Sequence, residues 1–341
     1  MERAWLLILG WVATLVCARG DGRFLPPEQM ASAALGGTRT VRIWLPPSYG
    51  SEPQRRYPVL YLHDGQNVFS SAGLDAAFGW GSWEVDHAVE RLVSAGRMRE
   101  IILVAVDNSP QRYAEYRGRA VQFTAEELKR ERYVEEPGDN SAYERYARFL
   151  INELKPAIDR RFRTLADPAH TGVLGSSLGG VCSLVLAWDH PDVFGLAASL
   201  SGAFQIEKKA VIEELKRTAA PGLGGGDSGL QPQPKPQPRP PKAVRFYLDC
   251  GAVSDGGDDG RANTEAVVAE LRRIGWKDGA DLMYYLDARP LSPEQLEQLG
   301  VPTAKRAEAQ VSQHNELYWR LRVDRPLEFL FPAGDAAPPR E

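Results

Sequence analysis

Thr171-Gly172-Val173-Leu174-Gly175-Ser176-Ser177-Leu178-Gly179-Gly180-Val181-Cys182-Ser183-Leu184-Val185-Leu186-Ala187-Trp188 is the stretch on which the fold turns. Its first four residues read as a short buried strand. The run from Gly180 to Trp188 reads as a buried helix. Between them stands Gly-x-Ser-x-Gly, a pattern common enough by itself to carry little weight. Between a strand and a helix it acquires a mechanical meaning. The chain must turn sharply there, side chains at the glycine positions would collide with the neighbouring backbone, and the central serine is left exposed in a strained conformation. On this context Ser177 is the candidate nucleophile.

Working outward, strand-like and helical runs alternate. Val41 to Leu45, Tyr57 to His63, Ile101 to Val106, Thr171 to Leu174, Leu196 to Leu200, Val244 to Leu248 and Leu282 to Leu286 read as strands. Several are continuously apolar, as expected of parallel strands covered on both faces. Val85, Ala88, Val89, Leu92 and Val93 form one helical stripe, with Ser82 placed to cap it and Gly96 to end it. Tyr143, Tyr146, Ala147, Leu150 and Leu154 form a second, expected to bend near Pro156. Val267, Leu271 and Ile274 form a third, closed by Gly275, and a last helix is expected from about Asn315 towards Phe331. This alternation predicts an α/β fold, a mostly parallel central sheet flanked by helices on both faces.

The 341 residues suit one large domain, expected over 21–332. Residues 1–20 are set apart. Arg3 precedes the apolar run Trp5 to Cys17, and small residues follow at Ala18 and Gly20, the layout of a secretory signal cut after one of these two. Bulky Val16 argues against a lipid anchor on Cys17. The chain is therefore expected to be secreted or periplasmic, with no membrane anchor left after cleavage. Residues 109–140 are long, charged and tyrosine-rich, either a solvated excursion or a cap over a pocket. Residues 219–242, with alternate prolines, read as a low-complexity loop insertion, and the tail 333–341 as disordered.

Forty-one basic and 45 acidic residues give a net charge of −4, with no basic run of the kind that grips phosphates. Nucleic acid is not an expected partner. Without Cys-x-x-Cys, His-Glu-x-x-His or a phosphate-binding Gly-x-x-x-x-Gly-Lys, no metal or nucleotide cofactor is expected. Cys182 and Cys250 lie in apolar segments and read as buried thiols rather than a disulfide.

A serine hydroxyl needs a base to take its proton, and the base needs a carboxylate to fix its tautomer. In α/β-hydrolases the chain order is serine, acid, histidine. His63, His87 and His170 precede Ser177, and His190 ends the nucleophile helix, so His314 is the expected base. The acid should follow the strand Val244 to Leu248, within Asp249-Cys250-Gly251-Ala252-Val253-Ser254-Asp255-Gly256-Gly257-Asp258-Asp259. Asp249 falls in the strand end. Asp255 is the first carboxylate of the loop and the expected acid, with Asp258 and Asp259 open. Two N–H donors are expected for the oxyanion, Leu178 after the nucleophile and Gln66 in the loop His63-Asp64-Gly65-Gln66-Asn67.

Leu-His-Asp-Gly-Gln-Asn at 62–67, Val-Asp-Asn at 106–108, Glu-Leu-Lys-Pro-Ala-Ile-Asp at 153–159, Gly-Ser-Ser-Leu-Gly-Gly at 175–180, Pro-Asp-Val-Phe-Gly at 191–195 and His-Asn-Glu at 314–316 fit one family. From about residue 34 to 332 the chain resembles the esterases that include S-formylglutathione hydrolase, enterochelin and feruloyl esterases, acetyl-xylan esterases and mycolyltransferases. The resemblance implies the α/β-hydrolase fold, no metal, and Ser177, an acid and His314 as a triad. The mycolyltransferase-like Asp-Gly followed by an oxyanion donor supports Gln66. Two features depart from the pattern. The family's Asp-x-Gly-Thr-x-Glu/Asp around the acid is altered here, and the proline-rich insertion is unusual. The expected activity is hydrolysis of a carboxylic ester, siderophore, feruloyl or acetyl-sugar in type. Acyl transfer to a sugar or lipid alcohol and a non-catalytic binding protein are the alternatives. Arg112, Arg117 and Arg119 at the pocket mouth would favour an anionic substrate, and Tyr113 and Tyr116 an aromatic acyl group; the plainer reading is a solvated loop.

Overall fold

The computed structural model describes residues 21–119, 141–218 and 244–334. The expected signal at 1–20, the insertion at 219–242, most of the excursion at 109–140 and the tail from 335 lie outside the described residues.

The strands are β1 (Arg23–Phe24), β2 (Glu28–Ser32), β3 (Gly37–Leu45), β4 (Val59–Leu62), β5 (Ile102–Val106), β6 (Thr171–Ser176), β7 (Leu196–Leu200), β8 (Arg245–Gly251) and β9 (Leu282–Asp287). They form one sheet in the order β1-β3-β5-β4-β6-β7-β8-β9, with β2 also paired to β3. From β5 to β9 all pairings are parallel. β3 runs antiparallel to β5, and β1 and β2 antiparallel to β3. All seven predicted strands are present, with ends displaced by a few residues; β1 and β2 were not foreseen. They are short and largely exposed, so they carry no apolar run to announce them.

Alternating strand residues enter two core layers, the period-2 signature of a pleated sheet. Val59, Tyr61, Val104, Val173, Ala197 and Phe246 face one layer with Tyr146, Leu150, Val181, Leu184 and Leu271 from helices. Leu60, Leu62, Leu103, Leu174, Ala198 and Tyr247 face the other, with Val85, Val89, Leu92, Trp319, Val323 and Leu327. This two-sided burial is why the inner strands are apolar throughout.

Helix ends differ from expectation where a tertiary partner or a proline intervenes. The helix Val85–Ser94 begins after Glu84, which has φ 53°, and no side chain caps it; buried Ser82 lies too far back. Ahead of Pro156, Phe149–Leu154 is π-helical. Proline has no N–H for the carbonyl four residues earlier, and the register slips to accommodate it. The last helix is two, Glu316–Arg322 and Asp324–Leu330, broken around Val323 because Pro326 has no N–H for the Arg322 carbonyl. Pro293–Gln298 and Thr303–Val311 form two further helices ahead of His314. Cys182 and Cys250 are buried free thiols. Among the described residues no helix is long and apolar enough to cross a membrane.

Candidate active site

The parallel strands release their loops at their C-terminal ends, so residues distant in sequence converge on one edge of the sheet. Ser177 follows β6 directly, with φ 54° and ψ −120°, and opens the helix Leu178–Asp189. A non-glycine residue at positive φ is strained and must be held by its surroundings. Here the Ser177 N–H donates to the Leu200 carbonyl at 2.9 Å, and its own carbonyl accepts from Ala203 N–H at 3.1 Å. A Cβ on Gly175 would stand 2.6 Å from the Gly179 carbonyl, so this turn admits no side chain there. Leu178 is the first residue of the helix, where backbone N–H groups have no partner within the helix.

The β4 loop is built to similar tolerances. Asp64 sits in the left-handed region at φ 56°, and Gly65–Asn67 make one 3-10 turn. A Cβ on Gly65 would lie 2.8 Å from the Val106 carbonyl carbon. Gln66 is anchored by its side chain, whose Oε1 accepts Asn108 N–H at 3.1 Å. The Asp64 carboxylate is clamped by the Arg112 guanidinium at 2.6 and 2.8 Å and by Asn108 Nδ2 at 2.5 Å. His63, completely buried behind the nucleophile turn, shares a hydrogen bond with the Tyr146 hydroxyl at 2.9 Å. Burial lowers its pKa to about 4, so it is neutral at ordinary pH.

His314 Nδ1 lies 2.7 Å from Asp259 Oδ1. The carboxylate paired with His314 is therefore Asp259, not the expected Asp255. Asp255 has φ 45° and points to solvent from the turn closed by Ser254 and Gly257. Asp258 caps the following helix, accepting from Ala262 N–H at 2.9 Å. Asp259 turns inward at φ 51°, and its Oδ2 also accepts from Ser201 Oγ at 2.7 Å and Gly251 N–H at 2.5 Å. Burial pushes its pKa up, but the His314, Ser201 and Arg322 interactions outweigh that and hold it below the ordinary carboxylate value. An ionised Asp259 has only acceptors, so the Nδ1 proton is on His314 and Nε2 is left as the accepting nitrogen.

Several contributors were not foreseen. Gln313 is fully buried and staples the His314 loop to the β8 loop: Oε1 accepts Ala252 N–H at 2.7 Å, and Nε2 donates to the Asp287 carbonyl at 3.1 Å. The Trp319 ring meets His314 edge-on, centroids 5.2 Å apart. Glu316 lies by the β4 loop, with Asn67 Nδ2 3.4 Å from its Oε1. Burial pushes its pKa up to about 7, with Asp64 adding to the rise. The residues expected at the mouth are committed elsewhere. Arg112 is bound to Asp64; Tyr113 donates to Glu207 Oε1 at 3.0 Å; Arg117 pairs with the same carboxylate; Arg119 pairs with Asp189; and Tyr116 is fully buried against His63. A surface cavity lined by Tyr143, Ala147, Ile151 and His190 lies at the far end of the helix Leu178–Asp189. At about 1.5 Å per residue that is some ~18 Å from Ser177, a separate place.

The fold has recognisable relatives. The structure is similar to a ferulic acid esterase (TM-score 0.60, 16% identity, covering 92% of this chain and 99% of that one). It is also similar to the enterobactin esterase of Shigella flexneri (TM-score 0.56, 15% identity, 91% of this chain and 59% of that one). By sequence it is 29% identical over 182 residues to an endo-1,4-beta-xylanase/feruloyl esterase of Xylanibacter ruminicola, 50% of this chain and 20% of that protein. A Bacillus subtilis protein, YbbA, is 27% identical over 177 residues, 51% of this chain and 60% of that protein. The matches thus span from one fifth to three fifths of these curated relatives. The profile of the family described as "Putative esterase" matches residues 32–280. The fold is that of the α/β-hydrolase-like esterases, and the chain belongs to this esterase family of hydrolases.

Proposed function

We propose that the protein is a serine carboxylic-ester hydrolase, with Ser177 as nucleophile, His314 as base and Asp259 as the orienting acid. Ser177 Oγ attacks the ester carbonyl while His314 Nε2 takes its proton. The backbone N–H groups of Leu178 and Gln66 receive the oxyanion. The tetrahedral intermediate collapses, the alcohol leaves with the proton returned by His314, and an acyl-serine remains. Water, deprotonated by His314, then frees the acid and regenerates Ser177. The observation that carries this reading is the backbone of Ser177. A serine held at φ 54° and ψ −120° between a buried strand and a buried helix is the geometry a nucleophile elbow requires.

The test is covalent labelling. A fluorophosphonate should modify the wild type and not Ser177→Ala, and hydrolysis of a short p-nitrophenyl ester should fall by on the order of 10³-fold or more. Equal labelling of both proteins refutes the assignment. Relatives named for feruloyl esters and enterobactin make aryl and siderophore esters the first substrates to try. The Arg3-led apolar run supports an exported enzyme. N-terminal sequencing of the mature protein should then begin at residue 19 or 21, and an intact Met1 in the extracytoplasmic fraction would exclude cleavage.

A further inference from the structure

Behind Asp259 lies a second layer of buried charge that the reaction itself does not use. Ser201, just after β7, donates its hydroxyl to Asp259 Oδ2 at 2.7 Å. The same Oγ receives Arg322 Nη2 at 2.7 Å and Trp319 Nε1 at 3.2 Å. A serine hydroxyl has one proton and two lone pairs. Guanidinium and indole N–H groups can only donate, so between them they fill both lone pairs. The single Ser201 proton has one acceptor left, Asp259.

Arg322 is fixed in turn. It is buried, with Asp249 Oδ1 3.6 Å and Asp287 Oδ2 3.9 Å from its guanidinium. Asp249 also accepts Ser201 N–H at 3.1 Å and the Tyr247 hydroxyl at 3.1 Å. The Ser201 backbone is thereby pinned at φ 45°, a conformation that glycine adopts with less strain. A serine there accepts that strain, and its hydroxyl is what distinguishes it from glycine.

We propose that Ser201 and Arg322 are positioning residues: Arg322, aided by Trp319, orients the Ser201 hydroxyl, which holds the Asp259 carboxylate ionised and aimed at His314. The proposal rests on the Ser177–His314–Asp259 reading of the site. With Oδ1 taking the His314 proton and Oδ2 taking Ser201 and Gly251, three donors meet the Asp259 carboxylate, and each favours its ionised form. Losing the Ser201 donor leaves more negative charge on the carboxylate that faces the imidazolium and aims that carboxylate less firmly.

The experiment compares wild type with Ser201→Gly, which deletes the hydroxyl without adding strain, and with Asp249→Asn/Arg322→Met, which removes both buried charges together so that neither is stranded. Rates on a p-nitrophenyl ester are followed against pH, and the His314 Nδ1 proton is followed by NMR without substrate. For Ser201→Gly, kcat should fall about tenfold with KM nearly unchanged, and the acidic limb of kcat/KM should move to higher pH. The double variant should move the limb the same way. A purely structural role would lower Tm and leave the limb and the Nδ1 resonance in place. Folded Ser201→Gly with wild-type kcat, limb and resonance overturns the proposal. A wild-type limb in the double variant alone overturns the part of Arg322. If the wild type hydrolyses no ester and takes no fluorophosphonate, the enzymatic reading fails, while the Nδ1 resonance still judges the contact.

Discussion

Asp259, with φ 51°, lies four residues past Asp255, with φ 45°, and yet Asp259 is buried and Asp255 exposed. The chain order serine, acid, histidine brings the search to residues 249–259 and stops there. Which carboxylate turns inward is decided by partners far away in sequence, Ser201 58 residues before and His314 55 residues after. No local pattern encodes those contacts, and this is why the histidine of the pair could be singled out and its carboxylate could not. His314 was reached by elimination among five histidines, whereas four aspartates lie within the eleven residues 249–259. The two assignments make separable predictions. Asp259→Asn should lower kcat by about 10³–10⁴-fold, because the amide cannot fix the tautomer that leaves Nε2 free to accept. Asp255→Asn should leave activity within about twofold, as surface substitutions generally do. A pH-activity series on both variants decides, and a large loss at Asp255 with none at Asp259 would overturn the pairing.

Among the elements, the strand-to-helix turn and the β4 loop were readable because glycine spacing records close backbone approach directly. The loop's support was not readable. Arg112–Tyr116 is a short helix whose charges suggested a solvated mouth, but Arg112 closes on Asp64 and Glu115 on Arg39, both inside the protein. Charge in sequence looks the same whether it meets water or a buried partner. The helix Arg112–Tyr116 thus holds the β4 loop from behind, and the loop's geometry should tolerate little change. Gly65→Ala puts a methyl 2.8 Å from the Val106 carbonyl carbon and 2.9 Å from the Asp107 nitrogen, both backbone atoms. The loop must move, taking the Gln66 N–H with it. Turnover should fall roughly a hundredfold, with a loss of stability of about 1–3 kcal/mol. Steady-state kinetics with a denaturant melt would show both, and wild-type kcat in the folded variant would remove Gln66 as an oxyanion donor.

At the scale of the molecule, the fold was legible because a parallel sheet buried on both faces writes continuous apolar runs, while the exposed edge strands β1 and β2 write none. The sheet also gathers several acidic groups at one edge, and this sets how stability responds to pH. Glu316 is the clearest case. Burial raises its pKa from 4.5 to about 7, Asp64 adds to the rise, and a backbone hydrogen bond, His314 and Arg112 oppose it; Asn67 also faces it. A carboxyl raised on folding binds its proton more tightly in the native state. Its contribution is therefore present below about pH 4.5 and is lost as pH climbs through 7. Glu316→Gln stays neutral throughout and should escape that loss. Its Tm should match the wild type near pH 4 and exceed it near pH 8 by on the order of a few degrees. Thermal melts of both proteins across that range check the sign. A Tm difference that stays constant with pH would mean that Glu316 ionises freely and is solvated, and the close approach of the helix Glu316–Arg322 to the β4 loop would have to be redrawn.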